Sequence, residues 1–482
     1  MINKDNLKQK TAIGVFWNFF QNIASSGLSF LIMLVLARIL SPDDYGVIGI
    51  IVAFIAVADV FVDSGFASAL IQKKNRTQVD LSTVFYYNVL ASIFIYFFLF
   101  ISAPYIADFY DIPILKLLLR VLSLKIFISS FSSIQYTLLR IQLNFKTLAR
   151  INIFATLLSG IVGIIMALLN CGVWALVGLS MTLAIVNCFQ FWCYSKWRPS
   201  RVFSVSSFKS LFTYGSNLLV SSLIETIYNN IYTVVIGKLF SASSLGHYSR
   251  ANHFAAFPST NFSIVLGRVT FPALSQIQDD DERLRASYLK LLKMSSFIVF
   301  PLMTGLAGVA IPFVTIVIGE KWLFCAQLLQ IICFSMMWYP IHSINLNLLK
   351  VKARSDLFLK LEIIKKLLGI SILVISVPFG IVTMCYFSIL SSLISLIINT
   401  YYSGKLINLG FLKQMRTMLP TFGASFTMFV VVLLVQEVFQ NTNMKFAFGV
   451  LSGSLTYVAI TRLLKFEEWK EVNWLIKQVR YL

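Results

Sequence analysis

Apolar runs long enough to cross a bilayer follow one another along nearly the whole chain, separated by short polar breaks. A helical span needs about 20 residues. The pattern predicts fourteen spans, at 12–37, 44–71, 82–103, 114–138, 151–169, 174–194, 211–239, 245–275, 295–318, 323–349, 358–377, 381–402, 418–437 and 445–464. The first follows a polar, basic start, MINKDNLKQK. It is longer than the apolar core of a signal peptide and has no small-residue cleavage site after it, so it reads as an uncleaved span. The seventh and eighth are long and carry Asn, Ser, Tyr and Pro, as expected of helices that face protein or a wet cavity.

Loop charge gives the orientation. Alternate loops are basic: Lys73, Lys74 and Arg76; Arg140, Lys146 and Arg150; Lys196, Arg198, Arg201 and Lys209; Arg283, Arg285, Lys290 and Lys293; Lys350, Lys352 and Arg354; Lys405, Lys413 and Arg416. The intervening breaks at 104–113, 170–173, 378–380 and 436–444 hold no basic residue. Basic loops stay in the cytoplasm. The alternation therefore places both termini there, in the cytoplasmic membrane, and requires an even number of spans. The final stretch places Trp469, Val472, Ile476 and Val479 at helical spacing, which predicts an amphipathic helix on the cytoplasmic surface.

Composition agrees with the pattern. Of 482 residues, 58% are hydrophobic and only 12% charged, too few charges to coat a water-facing surface. A soluble enzyme, a disordered chain and a disulfide scaffold are all disfavoured. The net charge of +20 would suggest nucleic acid in a soluble protein; here the basic residues sit in short loops, and membrane orientation accounts for them, so no nucleic-acid partner is expected. The six cysteines form no CxxC pair and read as buried thiols. Three histidines without ligand spacing predict no metal site, and no phosphate loop is present. Outward loops are too short for a catalytic domain, so no enzyme and no cofactor is expected.

Two segments match at an offset of 200 residues: ARILSPDDYG from Ala37 and GKLFSASSLG from Gly237. Arg38 aligns with Lys238, Ser41 with Ser241 and Gly46 with Gly246. Chance recurrence of a helix turn is the bland explanation. As a true repeat, six spans separate the copies, so both have the same orientation, and the axis relating them runs along the membrane normal. The expected architecture is an all-α integral membrane protein of about 14 transmembrane helices. Residues 1–200 and 201–404 form two six-helix bundles related by a pseudo-two-fold axis; 405–465 add a pair; 466–482 form the tail. Transporters built this way bind substrate at the repeat interface.

The same residues carry a family resemblance. LSPDDYGVIGI, DSGFASALIQK (63–73), LGHYSRA (245–251), FPALSQIQDDDERLRASYL (271–289), FPLMTGLAG (300–308) and IGEKW (318–322) resemble bacterial polysaccharide transporters. They look like the lipopolysaccharide, colanic acid and teichuronic acid exporter branch of the multidrug/oligosaccharidyl-lipid/polysaccharide exporter superfamily. The resemblance covers roughly residues 10–400. It implies a flippase for oligosaccharide units linked to undecaprenyl pyrophosphate, driven by an ion gradient. It also implies membrane lipids as neighbours, and a polysaccharide polymerase and assembly proteins as partners. A drug exporter of the same superfamily, a membrane polymerase or ligase, and a passive scramblase are the competing readings.

Charges within the spans are the candidate site residues, because a charge at the bilayer centre costs about 2.5–3.5 kcal/mol on insertion scales. Arg120 and Lys125 on the fourth span could attract a pyrophosphate in a wet cavity, or form ion pairs with Asp59 or Asp63. Arg268, Arg250, His253 and Asn229 complete the substrate-binding candidates. Arg250 and His253 share a helix face, and Arg268 lies nearer the cytoplasm. Glu225, Asp59 and Asp63 are candidates for ion coupling. Glu225 could instead pair with Arg250 or Arg268, and Asp63 could form a structural salt bridge near Gly65. His342 reads as a hydrogen-bonded core histidine, and Arg38 and Lys238 as side chains reaching the interface.

Overall fold

A computed structural model describes residue 21 and residues 24–474, except 64 and 472. Among these there is no strand. Helices follow one another between tight turns: α1 Ala24–Ile39, α2 Pro42–Asp63, α3 Phe66–Gln72, α4 Gln78–Tyr110, α5 Ile114–Leu122, α6 Leu124–Ser130, α7 Ser133–Ile141, α8 Phe145–Leu168, α9 Trp174–Tyr194 and α10 Val205–Leu239. Then come α11 Ala242–Ser275, α12 Asp281–Gly308, α13 Ala310–Val317, α14 Leu323–Met336, α15 Tyr339–Val351, α16 Ser355–Ser376, α17 Ile381–Ile407, α18 Phe411–Val438 and α19 Thr442–Leu463.

Grouped by the turns between them, these helices make fourteen stretches that follow the fourteen predicted spans. Ten helices among the described residues are long and apolar enough to cross a membrane. The four remaining stretches are α1, shorter as Ala24–Ile39, α5–α7, α11 and α16. The α5–α7 stretch is broken twice, α11 carries Arg250, His253 and Arg268, and α16 carries Lys360, Glu362, Lys365 and Lys366. These are the polar stretches, where function is most readily sought.

The outer faces show what solvent the fold is built for. Along α4, Leu90, Phe94, Phe98, Ile101 and Tyr105 project outward at helical spacing, Phe94 being 73% exposed. Such a stripe in water would forfeit roughly 1.5–3 kcal/mol per side chain. In hydrocarbon it is matched to its surroundings. Backbone polar groups are then satisfied within each helix, as lipid demands.

The chain divides into two compact units, Met1–Gly246 and His247–Leu482. In the first, α8 packs on α9, α10 on α2, and α4 on α5. Phe66, Leu70, Leu81, Val84, Phe85, Ile134 and Leu211 form a buried cluster where α3, α4, α7 and α10 meet. Gly65, at φ 72°, turns the chain between α2 and α3. A Cβ there would lie 2.7 Å from the Gly215 carbonyl on α10, so the chain and α10 approach closely at this turn. In the second unit α12 packs on α18, α18 on α19, and α17 on both α14 and α16. Trp322, Tyr288 and Phe300 are fully buried there.

The two repeated segments have the same local structure. Ser41 Oγ accepts the Asp44 N–H at 3.2 Å, capping α2. Ser241 Oγ accepts the Ser244 N–H at 3.1 Å, capping α11. Each cap satisfies one of the donors that a helix start leaves open. The preceding helices close alike, Leu40 N–H on the Leu36 carbonyl and Phe240 N–H on the Ile236 carbonyl.

At the C-terminal end, Trp469 packs with Phe297, Tyr457 and Phe466, and Arg462 lies over its ring at 4.7 Å. Lys293 pairs with Glu467 at 3.0 Å and Lys290 with Glu471 at 2.7 Å. The tail thus begins by docking on α12. Val472, Ile476 and Val479, the other positions of the expected amphipathic helix, lie outside the described residues. The cysteine expectation is corrected in part: Cys325, Cys333 and Cys385 are buried, but Cys193 is exposed and Cys171 and Cys188 are intermediate. The reason is position, since Cys193 lies at the polar end of α9.

Candidate functional site

The interruptions in the fourth stretch make the site. α5 ends at Leu122, α6 runs seven residues, and α7 begins at Ser133. Serines stand at each break, and their hydroxyls return to nearby carbonyls: Ser123 to Arg120, Ser130 to Phe127, Ser132 to Ser129 and Ser133 to Ser130. Local side-chain to backbone bonds of this kind compete with a continuous helix. They also leave a hydroxyl-rich surface facing α8 and α9.

That surface lines a cavity of about 270 Å³ with Lys125, Ser129, Ser132, Ser133, Tyr136, Asn152, Asn187 and Phe191. Among the described residues, Lys125 is the one charged group on the wall. Tyr136 and Phe191 meet edge to face at 5.7 Å and give the pocket an aromatic side. The side-chain oxygen Oδ1 of Asn187 is buried without a hydrogen-bond partner, and Asn88 donates to Ser133 at 2.9 Å. An ammonium, hydroxyls, amides and a ring together can hold a phosphate oxygen or a sugar. The charge also acts on Asp59 of α2.

Arg120 is placed elsewhere. Its Nε donates to the Phe100 carbonyl at 3.2 Å and its guanidinium lies 4.1 Å from the centre of the Phe100 ring. It fastens α5 to α4 and does not line the Lys125 pocket. Asp63 accepts the Ala67 N–H and feels Arg140, so it caps the restart at α3. Asp59 is exposed on α2, and Glu225 and Asn229 are exposed on α10. The neighbouring Asn230 lines a second cavity, about 440 Å³ and almost wholly apolar, with Phe54, Phe61, Phe94 and Phe98.

In the second unit, Arg250 lies within electrostatic reach of His253 and Cys325, and Arg268 is exposed on the C-terminal half of α11. The two candidate groups, Lys125, Asp59 and Glu225 on one hand and Arg250, His253 and Arg268 on the other, therefore sit on different units. Lys238 pairs with Asp111 at 3.2 Å and lies 4.9 Å from the Phe109 ring, a fuller set of partners than reaching the interface requires. The sequence reading missed Glu362 and Lys365, an ion pair at 2.5 Å with side chains 26% and 13% exposed. Two opposite charges three residues apart within a predicted span were the signal.

The broken helices, polar inner walls and apolar outer faces define a multi-pass membrane transporter. A family model described as polysaccharide biosynthesis protein matches residues 35–327, and the chain belongs to that family. It is 31% identical to an uncharacterised membrane protein in the cps region of Klebsiella pneumoniae, over 77% of each chain. It is 30% identical to the lipopolysaccharide biosynthesis protein WzxC of Escherichia coli, over 77% of this chain and 76% of the other. It is 28% identical to the teichuronic acid biosynthesis protein TuaB of Bacillus subtilis, over 83% and 84%. Among solved structures, the lipid II flippase MurJ in its inward closed conformation superposes with a TM-score of 0.75 at 18% identity, covering 94% of this chain and 98% of that one. A multidrug resistance MATE family transporter of the MOP superfamily, inward-facing, gives 0.61 at 16%, covering 80% and 96%. The fold is that of this superfamily.

Proposed function

We propose that the protein is a flippase that carries an oligosaccharide linked to undecaprenyl pyrophosphate from the cytoplasmic to the outer leaflet, for surface polysaccharide assembly. The observation that carries this reading is the Lys125 pocket, a polar chamber with one cation among hydroxyls, amides and a tyrosine ring. A charged, hydroxylated head group needs such a lining, because bare hydrocarbon leaves its polar atoms unpaired. Names and fold of the relatives agree with a lipid-linked sugar as cargo.

In this reading the head group enters from the cytoplasm, and Lys125 offsets part of its desolvation. Arg268, Arg250, His253 and Asn229 are further proposed contacts for the substrate. The prenyl chain stays in hydrocarbon, along the phenylalanine-lined cavity of α2, α4 and α10. Alternation between inward and outward openings carries the head group across. An ion moving through Asp59 or Glu225 resets the cycle; Asp63 is left to its cap. Both termini are cytoplasmic, and a polymerase receives the product outside.

A deletion strain supplies the test. Plasmid-borne wild type restores surface polysaccharide, whereas Lys125→Glu at equal protein level does not. Normal output from Lys125→Glu overturns the role of the pocket. Restored drug resistance without restored polysaccharide overturns the flippase reading in favour of a drug exporter.

A further inference from the structure

The stretch that begins at Leu323 is broken near its middle. α14 ends at Met336 and α15 restarts at Tyr339, with Pro340 in its first turn. Proline has no N–H to offer the Met336 carbonyl. Hydroxyls from other helices serve the freed carbonyls instead: Ser259 Oγ donates to Met336 at 2.7 Å and Ser392 Oγ to Ser335 at 3.2 Å. Discontinuous helices of this kind commonly form ion sites in transporters.

His342 stands in the turn just after the break, and both its ring nitrogens are engaged. Nε2 lies 3.1 Å from Ser392 Oγ and Nδ1 lies 3.1 Å from Asn399 Nδ2. Ser392 gives its proton to the Ser335 carbonyl, so its oxygen accepts from Nε2–H. The Asn399 amide donates to the Nδ1 lone pair. The bonds therefore describe a neutral ring protonated at Nε2.

This arrangement leaves one atom over. Asn399 is 1% exposed, and its Oδ1 is buried with no hydrogen-bond partner. An orphaned buried acceptor is costly. Turning the amide over brings that oxygen onto Nδ1, where it can bond only if the nitrogen carries a proton. The imidazolium then has an acceptor on each nitrogen, in charge-assisted bonds.

The charges facing the ring come from α16, whose Lys365 acts on His342 while paired with Glu362. From α17 come Ser392 and Asn399, both uncharged. From α12 comes the phenol of Tyr288, buried beside Ser403 further along the interface. Burial of the ring and this one ammonium, itself paired with Glu362, are the influences on the charge of His342.

We propose that His342 is a proton-binding site of the second unit, with Asn399 as the amide that turns when it loads. One proton adds to the Nδ1 lone pair and the ring changes from neutral to +1. The same proton later leaves Nδ1 for water on the other side, and no other bond forms or breaks. Loading remakes the link between α15 and α17 beside the break, which couples proton binding to the shape of the helix. This rests on the flippase reading and adds to it a proton site on the second unit, besides the Asp59 and Glu225 candidates of the first.

The full chain is reconstituted in liposomes that contain a pH-sensitive dye, under an inside-negative potassium diffusion potential. The probe is the lipid extract of the deletion strain, which accumulates unexported lipid-linked sugar. Flipping is read as protection of that sugar from added periodate, and proton movement as dye acidification. The wild type flips and acidifies on addition of extract. His342→Gln, which cannot titrate, and Asn399→Leu, which offers no acceptor, each lose acidification by about tenfold or more, with folding checked by thermal unfolding. Wild-type acidification by His342→Gln overturns the proposal. Flipping by the wild type without acidification overturns the coupling alone, and no flipping at all overturns the flippase reading beneath it.

Discussion

Gly46 and Gly246, repeat-related in sequence, meet backbone to backbone. A Cβ on Gly46 would collide with the Ala242 carbonyl, and one on Gly246 with the Pro42 carbonyl and lie 3.2 Å from Gly46 N. Pro42 and Ala242 are themselves repeat-related, so the contact is reciprocal, as a local two-fold relation requires. Glycine is used at both positions because any side chain fills the space between two helix starts.

A direct consequence is that Gly46→Val and Gly246→Val each destabilise the protein by about 2 kcal/mol, the usual scale of overpacking. Gly49→Val is the control: a Cβ there lies 3.7 Å from the Leu245 side chain, an ordinary contact. Thermal unfolding of the three variants in one detergent checks this. Equal midpoints for Gly46→Val and Gly49→Val would contradict the close approach.

Asn345, Ser403 and Gln414 form a closed polar triad in the second unit. Ser403 Oγ donates to Asn345 Oδ1 at 2.7 Å, and the Asn345 and Gln414 amides exchange two bonds of 3.0 Å. Asn345→Leu removes the hub and leaves Gln414 and Ser403 without it. The loss is about 2–4 kcal/mol, because buried polar groups left unpaired cost about 1–3 kcal/mol each. Asn345→Leu combined with Gln414→Leu recovers part of it. Unfolding midpoints of the single and double variants decide, and additive losses would contradict the triad.

The tail contact carries a pH dependence. The hydrogen bond from Lys293 holds the Glu467 carboxyl below its ordinary range. A depressed carboxyl contributes fully above its unfolded value and loses that contribution as pH falls through its folded value. Docking of the tail should therefore be intact at neutral pH and weaken below about pH 4. Limited proteolysis after Phe466 reports it. Lys293→Glu should release the tail already at neutral pH, and Lys293→Glu with Glu467→Lys should redock it. The effect on global stability is small, since both side chains are substantially exposed.

Much of the fold was legible because lipid is a simple solvent. Each span must be long, apolar and hydrogen-bonded within itself, so the hydropathy pattern alone located fourteen stretches. The repeat was legible too, because a helix start needs its Ser and a close approach needs its Gly. What the pattern could not show was how a stretch is interrupted. The breaks at Ser123 and Ser132, and the one before Pro340, depend on serine hydroxyls of the same or other helices donating to backbone carbonyls. Lys125 was singled out as a charge, but its pocket is made by Asn152, Asn187 and Tyr136, which carry no charge to flag them. Arg120 stood out equally and proved to be held by an aromatic ring, since cation–π stacking leaves no trace in spacing. His342 was read as a core histidine; its bonds fit that description, and only the unmatched oxygen of Asn399 points further.

A protein that moves a lipid-linked glycan between leaflets with its head group in the Lys125 pocket changes the side on which that lipid is found. This is tested most directly by locating that lipid in cells. Spheroplasts of a strain lacking both this protein and the polymerase are treated with membrane-impermeant periodate, and the lipid-linked sugar is then extracted and measured. The sugar is expected to be protected in that strain, oxidised once wild type is restored, and protected with Lys125→Glu. Oxidation of the sugar in the absence of the protein would contradict this expectation.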